Sequence, residues 1–255
     1  MLMIGVPFRE DGHDAKDIIV DGRESWHRPC HGQALQCSGL ARIYRFTPEL
    51  AADCPWSEGL MNHIHLDLED IDSVEQNLAL IHDKLGGRLD ALVNNAGISP
   101  KSETGSRLGV LEMGYADWIK VFNVNLFSTA LLAKGLFSEL KVAKGCVINV
   151  TSIAGSRVHP FAGVAYATSK AALSALTREM AYDFGPHGIR VNAIAPGEID
   201  TSILSPGTEE IVQRDIPLHR LGKPEEVASL IYFLCTGGAS YINGSEIHVN
   251  GGQHV

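Results

Sequence analysis

Residues 146–197 decide the fold, because CVINV (Cys146–Val150), YATSKAALSALTREMAYDF (Tyr166–Phe184) and VNAI (Val191–Ile194) follow one another there. The first and last runs are short and mostly apolar, which is typical of strands buried on both faces of a parallel sheet. The run between them has apolar residues at helical intervals and ends at Gly185-Pro186, a helix stop signal. A strand, a helix and a second strand in this order predict a βαβ unit with parallel strands and a right-handed crossover.

The same alternation extends along the rest of the chain. Further strands are predicted at Ile18–Val20, Leu89–Val93 and Glu246–Val249, and helices at Ser73–Leu85, Tyr115–Leu140 (two helices or one bent helix) and Pro224–Leu234. We therefore expect an α/β fold with a doubly wound parallel sheet, in a single domain spanning residues 1–255. Ligands on such sheets bind at the carboxyl ends of the strands.

Composition excludes several classes of function. The chain of 255 residues has a net charge of −9 and no basic run, so neither nucleic acid nor a membrane surface is expected as a partner. Five scattered cysteines form no CxxC pair, and eleven histidines show no metal-ligand spacing, so no metal site is expected. No signal peptide or membrane-spanning run is predicted, and a reducing cytoplasm is the expected location.

Tyr166 and Lys170 are four residues apart in the predicted helix, so the phenol and the ammonium group share one face. A free tyrosine has a pKa of about 10. A nearby positive charge favours the ionised form and so lowers this pKa toward the range in which the phenol can transfer a proton at neutral pH. A buried tyrosine beside a solvated lysine is the alternative, and it would be preferred if this pair stood alone. It does not, because other polar or glycine-containing segments follow predicted strands: Asn94–Gly97, Ser152 and Pro196–Thr201.

Together with these segments, the chain from about residue 62 to residue 255 resembles the short-chain dehydrogenase/reductase family. The matching pieces are HLDLED, NNAG, the asparagine of VNL, VTS, YATSK, IRVNAIAPGEIDT, RLGKPEEVA and YINGSEIHVNGG. The resemblance implies a Rossmann-type sheet and an NAD(P)-dependent oxidoreductase that interconverts a small-molecule carbonyl and the corresponding alcohol. It also implies a homotetramer.

The resemblance further implies a catalytic group formed by Asn125, Ser152, Tyr166 and Lys170. Tyr166 would be the general acid in carbonyl reduction and the general base in alcohol oxidation, and Ser152 would hydrogen-bond the substrate oxygen. Lys170 would hydrogen-bond the nicotinamide ribose and lower the pKa of Tyr166, and Asn125 would hold a water molecule in a proton relay. Ser152 and Tyr166 are fourteen positions apart, one more than is usual in the family, so the loop containing His159 would carry a small insertion near the substrate.

The cofactor-binding residues implied by the resemblance are Asp67, Leu68, Asn95, Gly97, Tyr166, Lys170, Ile199 and Thr201. Asp67 and the backbone amide of Leu68 would contact the adenine, Asn95 would lie along the adenosine, and Ile199 and Thr201 would anchor the carboxamide. Asn94 is expected to tie neighbouring strands together rather than to touch the cofactor. The cofactor would be NAD or NADP, and the residue that selects between them falls in residues 21–62, which are atypical.

The departure from the family pattern begins at Asp21-Gly22, where the family has TGxxxGxG, a glycine-rich loop that lets backbone amides approach a pyrophosphate. Gly22 and Asp67 are 45 residues apart, which is close to the usual interval in the family, so residues are replaced rather than deleted. Val20–Gln33 can be encoded so that removal of one base gives VTGAKAGIGHATA, a well-formed phosphate loop. We therefore hypothesise that residues from about 21 to about 62 are read in a shifted frame. As written, the loop favours a second reading, a non-catalytic binding or scaffold subunit that binds dinucleotide weakly.

Overall fold

The computed structural model describes residues 16–22, 40–46, 63–201, 204 and 207–255, and for residues 16–22, 40–46 and 63–65 it describes the backbone. The segments 23–39 and 47–62 lie outside the described residues, and they contain most of the predicted phosphate loop and of the range, from about 21 to about 62, to which the frameshift hypothesis applies.

The described strands form one seven-stranded sheet with the order β3-β2-β1-β4-β5-β6-β7. Their bounds are β1 Lys16–Gly22, β2 Leu40–Phe46, β3 His63–His65, β4 Ala91–Asn94, β5 Cys146–Val150, β6 Arg190–Pro196 and β7 Glu246–Val249. β1 and β4 to β7 pair in parallel along the sheet. This confirms the predicted parallel sheet over these five strands.

β2 departs from the prediction of a wholly parallel sheet, because it is antiparallel to β1 on one side and to β3 on the other. An antiparallel pair needs no helical crossover, whereas two adjacent parallel strands do. The departure falls within residues 21–62, the segment whose sequence also departs from the family pattern. β3 again runs in the direction of β1, so its carboxyl end lies at the same edge of the sheet as those of β4, β5 and β6.

Seven α-helices are found within the described ranges. Their bounds are α1 Ile71–Leu85, α2 Tyr115–Phe122, α3 Ser128–Gly135, α4 Phe137–Ala143, α5 Val164–Phe184, α6 Thr208–Asp215 and α7 Pro224–Cys235. A π-helical turn, Asn123–Phe127, joins α2 to α3, and the chain then bends by 60° before α4. The predicted long segment Tyr115–Leu140 is therefore a bent series of helices.

The sheet separates two hydrophobic layers. Along β5, Val147 packs into the layer that contains α1 and α3, whereas Ile148 and Val150 pack into the layer that contains α7. Successive side chains of a strand point to opposite faces, so both faces of the sheet are covered, as expected of a doubly wound fold. Asn94 of β4 donates to Asn149 of β5 across 2.8 Å, which confirms that Asn94 ties neighbouring strands together.

Candidate active site

Ser152 lies just beyond the end of β5, and Tyr166 lies in the first turn of α5. Their side chains are hydrogen-bonded to each other. The loop that carries Ser152 packs closely on α5 because Gly155 has no side chain; a Cβ there would lie 3.0 Å from the backbone nitrogen of Ala171. The structure thus brings together the two hydroxyl groups that the sequence predicted, fourteen positions apart in the chain.

Lys170 lies one turn after Tyr166 and its residue surface is 2% exposed. Its Nζ donates to the backbone carbonyl of Val150 across 2.6 Å and lies 5.7 Å from the centroid of the Tyr166 ring. The glycine of the NNAG segment, Gly97, leaves room for this side chain, since a Cβ at Gly97 would come within 3.2 Å of Nζ. A buried ammonium group is therefore held beside the phenol, at the carboxyl end of β5.

Asn125 lies in the π-helical turn and is buried. Its Oδ1 accepts from the Ile98 amide at 2.8 Å, and its Nδ2 donates to the Ile98 carbonyl at 3.1 Å and to Ser169 Oγ at 2.9 Å. Both amide hydrogens of Asn125 are thereby used, so its side chain fixes the Gly97–Ile98 segment against α5. π-helical turns of this kind are frequent at functional sites. The water-holding role implied for Asn125 stays a prediction.

The pKa of Tyr166 is raised above its ordinary value, first because the phenol is buried. The hydrogen bond from Ser152 acts in the opposite direction, and the negative charge of Glu198 raises the pKa further. The lowering of this pKa by Lys170, which the resemblance implied, stays a prediction; the Lys170 ammonium group donates to the Val150 carbonyl.

The residues predicted to hold the cofactor follow the strands whose carboxyl ends share one edge of the sheet. Asp67 follows β3, and its Oδ1 accepts from the Glu69 amide at 2.9 Å; Leu68 is fully buried, and its contact with the adenine stays a prediction. Asn95 and Gly97 follow β4. Beyond β6, Ile199 bridges to Gly222, and Thr201 is half-buried.

These positions suit a dinucleotide laid across the edge, with its nicotinamide ribose next to Lys170, whose side chain fills the space at Gly97. The pyrophosphate end corresponds to residues outside the described ranges. Elsewhere in the described part of the chain, no group of three or more His, Cys, Asp or Glu side chains is placed to hold a metal ion.

A pair that the sequence did not predict stands beside Tyr166. His159 Nε2 and Glu198 Oε1 are 2.6 Å apart, and both side chains are about one-tenth exposed, 10% and 11%. The extra residue between Ser152 and Tyr166 indicated that the loop of His159 is unusual. The partner, Glu198, is 39 residues away in the chain, so only the fold joins them.

Helix α6, which follows β6, packs on the same loop. Phe161 contacts the small apolar cluster formed by Ile211, Val212 and Ile216. The loop between Ser152 and Tyr166 therefore connects these two hydroxyl groups with helix α6. Among the described residues, no single helix is long and apolar enough to cross a membrane. Two helical segments joined by a bend, Tyr115–Gly135 and Phe137–Ala143, reach the length and apolar composition of a membrane span only when they are taken together.

Comparisons with known proteins identify the family of this chain. The family model described as Enoyl-(Acyl carrier protein) reductase matches residues 42–254. Protein FixR of Bradyrhizobium diazoefficiens is 56% identical over 203 residues, 79% of this chain and 73% of that protein. The 3-oxoacyl-(acyl-carrier-protein) reductase FabG of Aquifex aeolicus is 39% identical over 198 residues, 74% of this chain and 75% of that protein.

Among solved structures, an oxidoreductase of the short-chain dehydrogenase/reductase family from Brucella ovis, in complex with a partially ordered NAD, is 57% identical with a TM-score of 0.66. The similarity covers 78% of this chain and 82% of that one. The motifs, the sheet and the matches lead to one assignment: this chain belongs to the short-chain dehydrogenase/reductase family.

Proposed function

We propose that this protein is an NAD(P)-dependent oxidoreductase that interconverts a small carbonyl compound and its alcohol, with Tyr166 as general acid and base. The observation that carries the proposal is the hydrogen-bonded Ser152–Tyr166 pair beside the buried Lys170, at the carboxyl edge of a parallel sheet. The Aquifex relative is a reductase and the Brucella ovis structure carries NAD, which supports a nicotinamide cofactor here.

The cofactor would supply or accept the hydride. Ser152 Oγ would donate a hydrogen bond to the substrate oxygen, and the phenol of Tyr166 would transfer the proton to or from that oxygen. Lys170 Nζ, which donates to Val150, would use a further hydrogen on the nicotinamide ribose. Burial raises the pKa of Tyr166, which suits a role of its phenol as the proton donor in carbonyl reduction.

The test is Tyr166→Phe, which removes the proposed proton donor and retains the ring. Turnover of NADH or NADPH with a panel of small ketones should fall by about 100- to 10,000-fold, the usual contribution of general acid–base catalysis. The fold should remain, as judged by circular dichroism. Activity like that of the wild type in this variant would refute the role of Tyr166.

The second candidate, a non-catalytic binding subunit, is favoured by the residues written at 21–32, which place a carboxylate and bulky side chains where glycines are expected. Titration with NADH and NADPH, monitored by fluorescence transfer, distinguishes the enzyme from the non-catalytic subunit. Saturable binding in the micromolar range supports the enzyme. Absence of binding by the chain as written, with recovery when TGAKAGIG and the following helix and strand are restored, supports the frameshift hypothesis.

We further infer a homotetramer in the cytoplasm. Large side chains on the outer faces of two neighbouring helices are exposed: Tyr115 (80%) and Ile119 (40%) on α2, and Tyr182 (82%) on α5. Burial of such faces between subunits would remove apolar surface from water. Light scattering at micromolar concentration should give four times the mass of the chain, and a monomer would contradict this inference.

A further inference from the structure

Glu198 contacts the loop that joins Ser152 to Tyr166, through His159 at 2.6 Å. It follows β6, and its negative charge acts on the phenol of Tyr166 and on Lys101. Its backbone is held in place, because the Glu198 carbonyl accepts from the Gly222 amide at 2.9 Å, and the neighbouring Ile199 bridges to the same loop. A carboxylate is thus fixed next to the group that handles the proton.

His159 orients this carboxylate. The imidazole Nδ1 accepts from the Phe161 amide at 3.3 Å, so the ring carries its proton on Nε2 and donates it to Glu198 Oε1 at 2.6 Å. Lys101 holds the same loop from the other side by donating from Nζ to the Phe161 carbonyl. With a neutral imidazole, the His159–Glu198 pair keeps one negative charge.

The second oxygen of the carboxylate, Oε2, is not held by His159, and no donor from the described part of the chain is found on it. This oxygen is not among the buried polar atoms that lack a partner, and the side chain is 11% exposed, so Oε2 is open to a hydrogen bond from outside the chain. A ligand that carries a hydroxyl or ammonium group could donate that hydrogen bond. A ligand that carries a carboxylate would meet like charge at short range.

We propose that Glu198, oriented by His159, selects substrates that carry a hydrogen-bond donor close to the reacting carbonyl: small hydroxy- or amino-carbonyl compounds and the matching diols and amino alcohols. Glu198 acts as the acceptor for that donor, and it disfavours substrates that carry an anionic group at the same place. The proposal rests on the oxidoreductase function proposed above and names the class of substrate for that site.

The experiment compares three probes with four-carbon chains: 3-hydroxybutan-2-one, butan-2-one and 3-oxobutanoate, which carry a hydroxyl, no further polar group and a carboxylate. For the wild-type chain, kcat/KM should be about 10- to 100-fold higher for the hydroxyketone than for the plain ketone, the range for a hydrogen bond to a charged group. It should be lowest for the carboxylate.

Three variants dissect the effect. Glu198→Leu should bring the ratio of kcat/KM for the hydroxyketone to kcat/KM for the plain ketone near one. Glu198→Gln should retain part of this preference, since an amide oxygen still accepts a hydrogen bond. Glu198→Gln should also raise the relative kcat/KM for 3-oxobutanoate, because the negative charge is gone. The matched control is Glu75→Leu, the same change at an exposed position of α1, which should leave all three ratios unchanged.

Binding is measured separately from turnover, by saturation-transfer NMR with the hydroxyketone and the plain ketone in one sample and NAD⁺ present. The chains used carry Tyr166→Phe, so that NAD⁺, which cannot reduce a ketone, does not oxidise the hydroxyl group either. Preferential saturation of the hydroxyketone, lost when Glu198→Leu is added, supports the proposal. Equal saturation of both ketones, or a preference that survives Glu198→Leu, overturns it. Failure of turnover with all three probes would count against the oxidoreductase function, while this binding preference would still decide the role of Glu198.

Discussion

The ammonium group of Lys170 donates to the backbone carbonyl of Val150 across 2.6 Å, so helix α5 is attached by a charged hydrogen bond to the end of strand β5. The residue is 2% exposed, and such a burial of charge is costly unless partners compensate for it. The structure keeps this ammonium beside Gly97 and Tyr166, where a cofactor ribose is expected.

Lys170→Ala is therefore expected to affect two measurements at once. Loss of the ribose contact should weaken NADH or NADPH binding by about 10- to 100-fold, as expected for a charged hydrogen bond. Turnover should fall as well. Fluorescence titration and steady-state kinetics measure the two effects, and unchanged cofactor affinity would contradict the ribose contact.

The ionisation of Tyr166 should respond in opposite directions to its two polar neighbours. Glu198 raises the pKa of the phenol, so Glu198→Gln should lower it; the Ser152 hydrogen bond lowers that pKa, so Ser152→Ala should raise it. The phenolate absorbance of each variant, corrected by the same variant carrying Tyr166→Phe, measures the shift. Shifts of the same sign in both variants would contradict this account, since a general loosening of the site would move both in one direction.

The buried chain of hydrogen bonds between β4, β5 and α5 should contribute to stability. Asn94 donates to Asn149 at 2.8 Å, and Asn149 donates to Thr177 Oγ1 at 2.9 Å. Asn149→Ala leaves the buried Asn94 amide without this acceptor, which should cost about 1–3 kcal/mol of unfolding free energy. Urea denaturation of the variant measures the loss. The control is Gln76→Ala, which removes an amide side chain from an exposed position of α1 and should leave the unfolding free energy nearly unchanged.

Glu226 should give α7 a stabilisation that depends on pH. The Arg220 hydrogen bond, followed by the Lys223 amide, lowers the pKa of Glu226 to about 2. Because the folded-state pKa lies below that of an unfolded glutamate, about 4.3, the stabilisation is present above that value and is lost as the pH falls toward 2. Glu226→Gln should melt at a lower temperature than the wild type at pH 7, and the difference should shrink below about pH 4. A difference that stays constant with pH would show that the charge is not involved.

Most of the fold could be predicted from local patterns. The strands Cys146–Val150 and Glu246–Val249 were predicted with the bounds that the structure has, and helix Tyr166–Phe184 begins two residues earlier, at Val164. Short apolar runs that alternate with long amphipathic ones leave few arrangements other than a parallel sheet with helices on both faces. The reversed direction of β2 was not predicted, since the direction of a strand depends on its connection and on its neighbours rather than on its own residues.

The candidate site also combines features that the sequence predicted with features that depend on the fold. The sequence by itself determined the chemical groups and their strands: the phenol and ammonium at i and i+4 of one helix, the hydroxyl after β5, and the family to which they point. Only the tertiary structure decided what surrounds them. It set the raised pKa of Tyr166 by burial, attached Lys170 to Val150, and joined His159 to Glu198 across 39 residues of chain. Burial and electrostatic interaction depend on distances in space, and those distances exist only once the sheet has brought the ends of its strands to one edge.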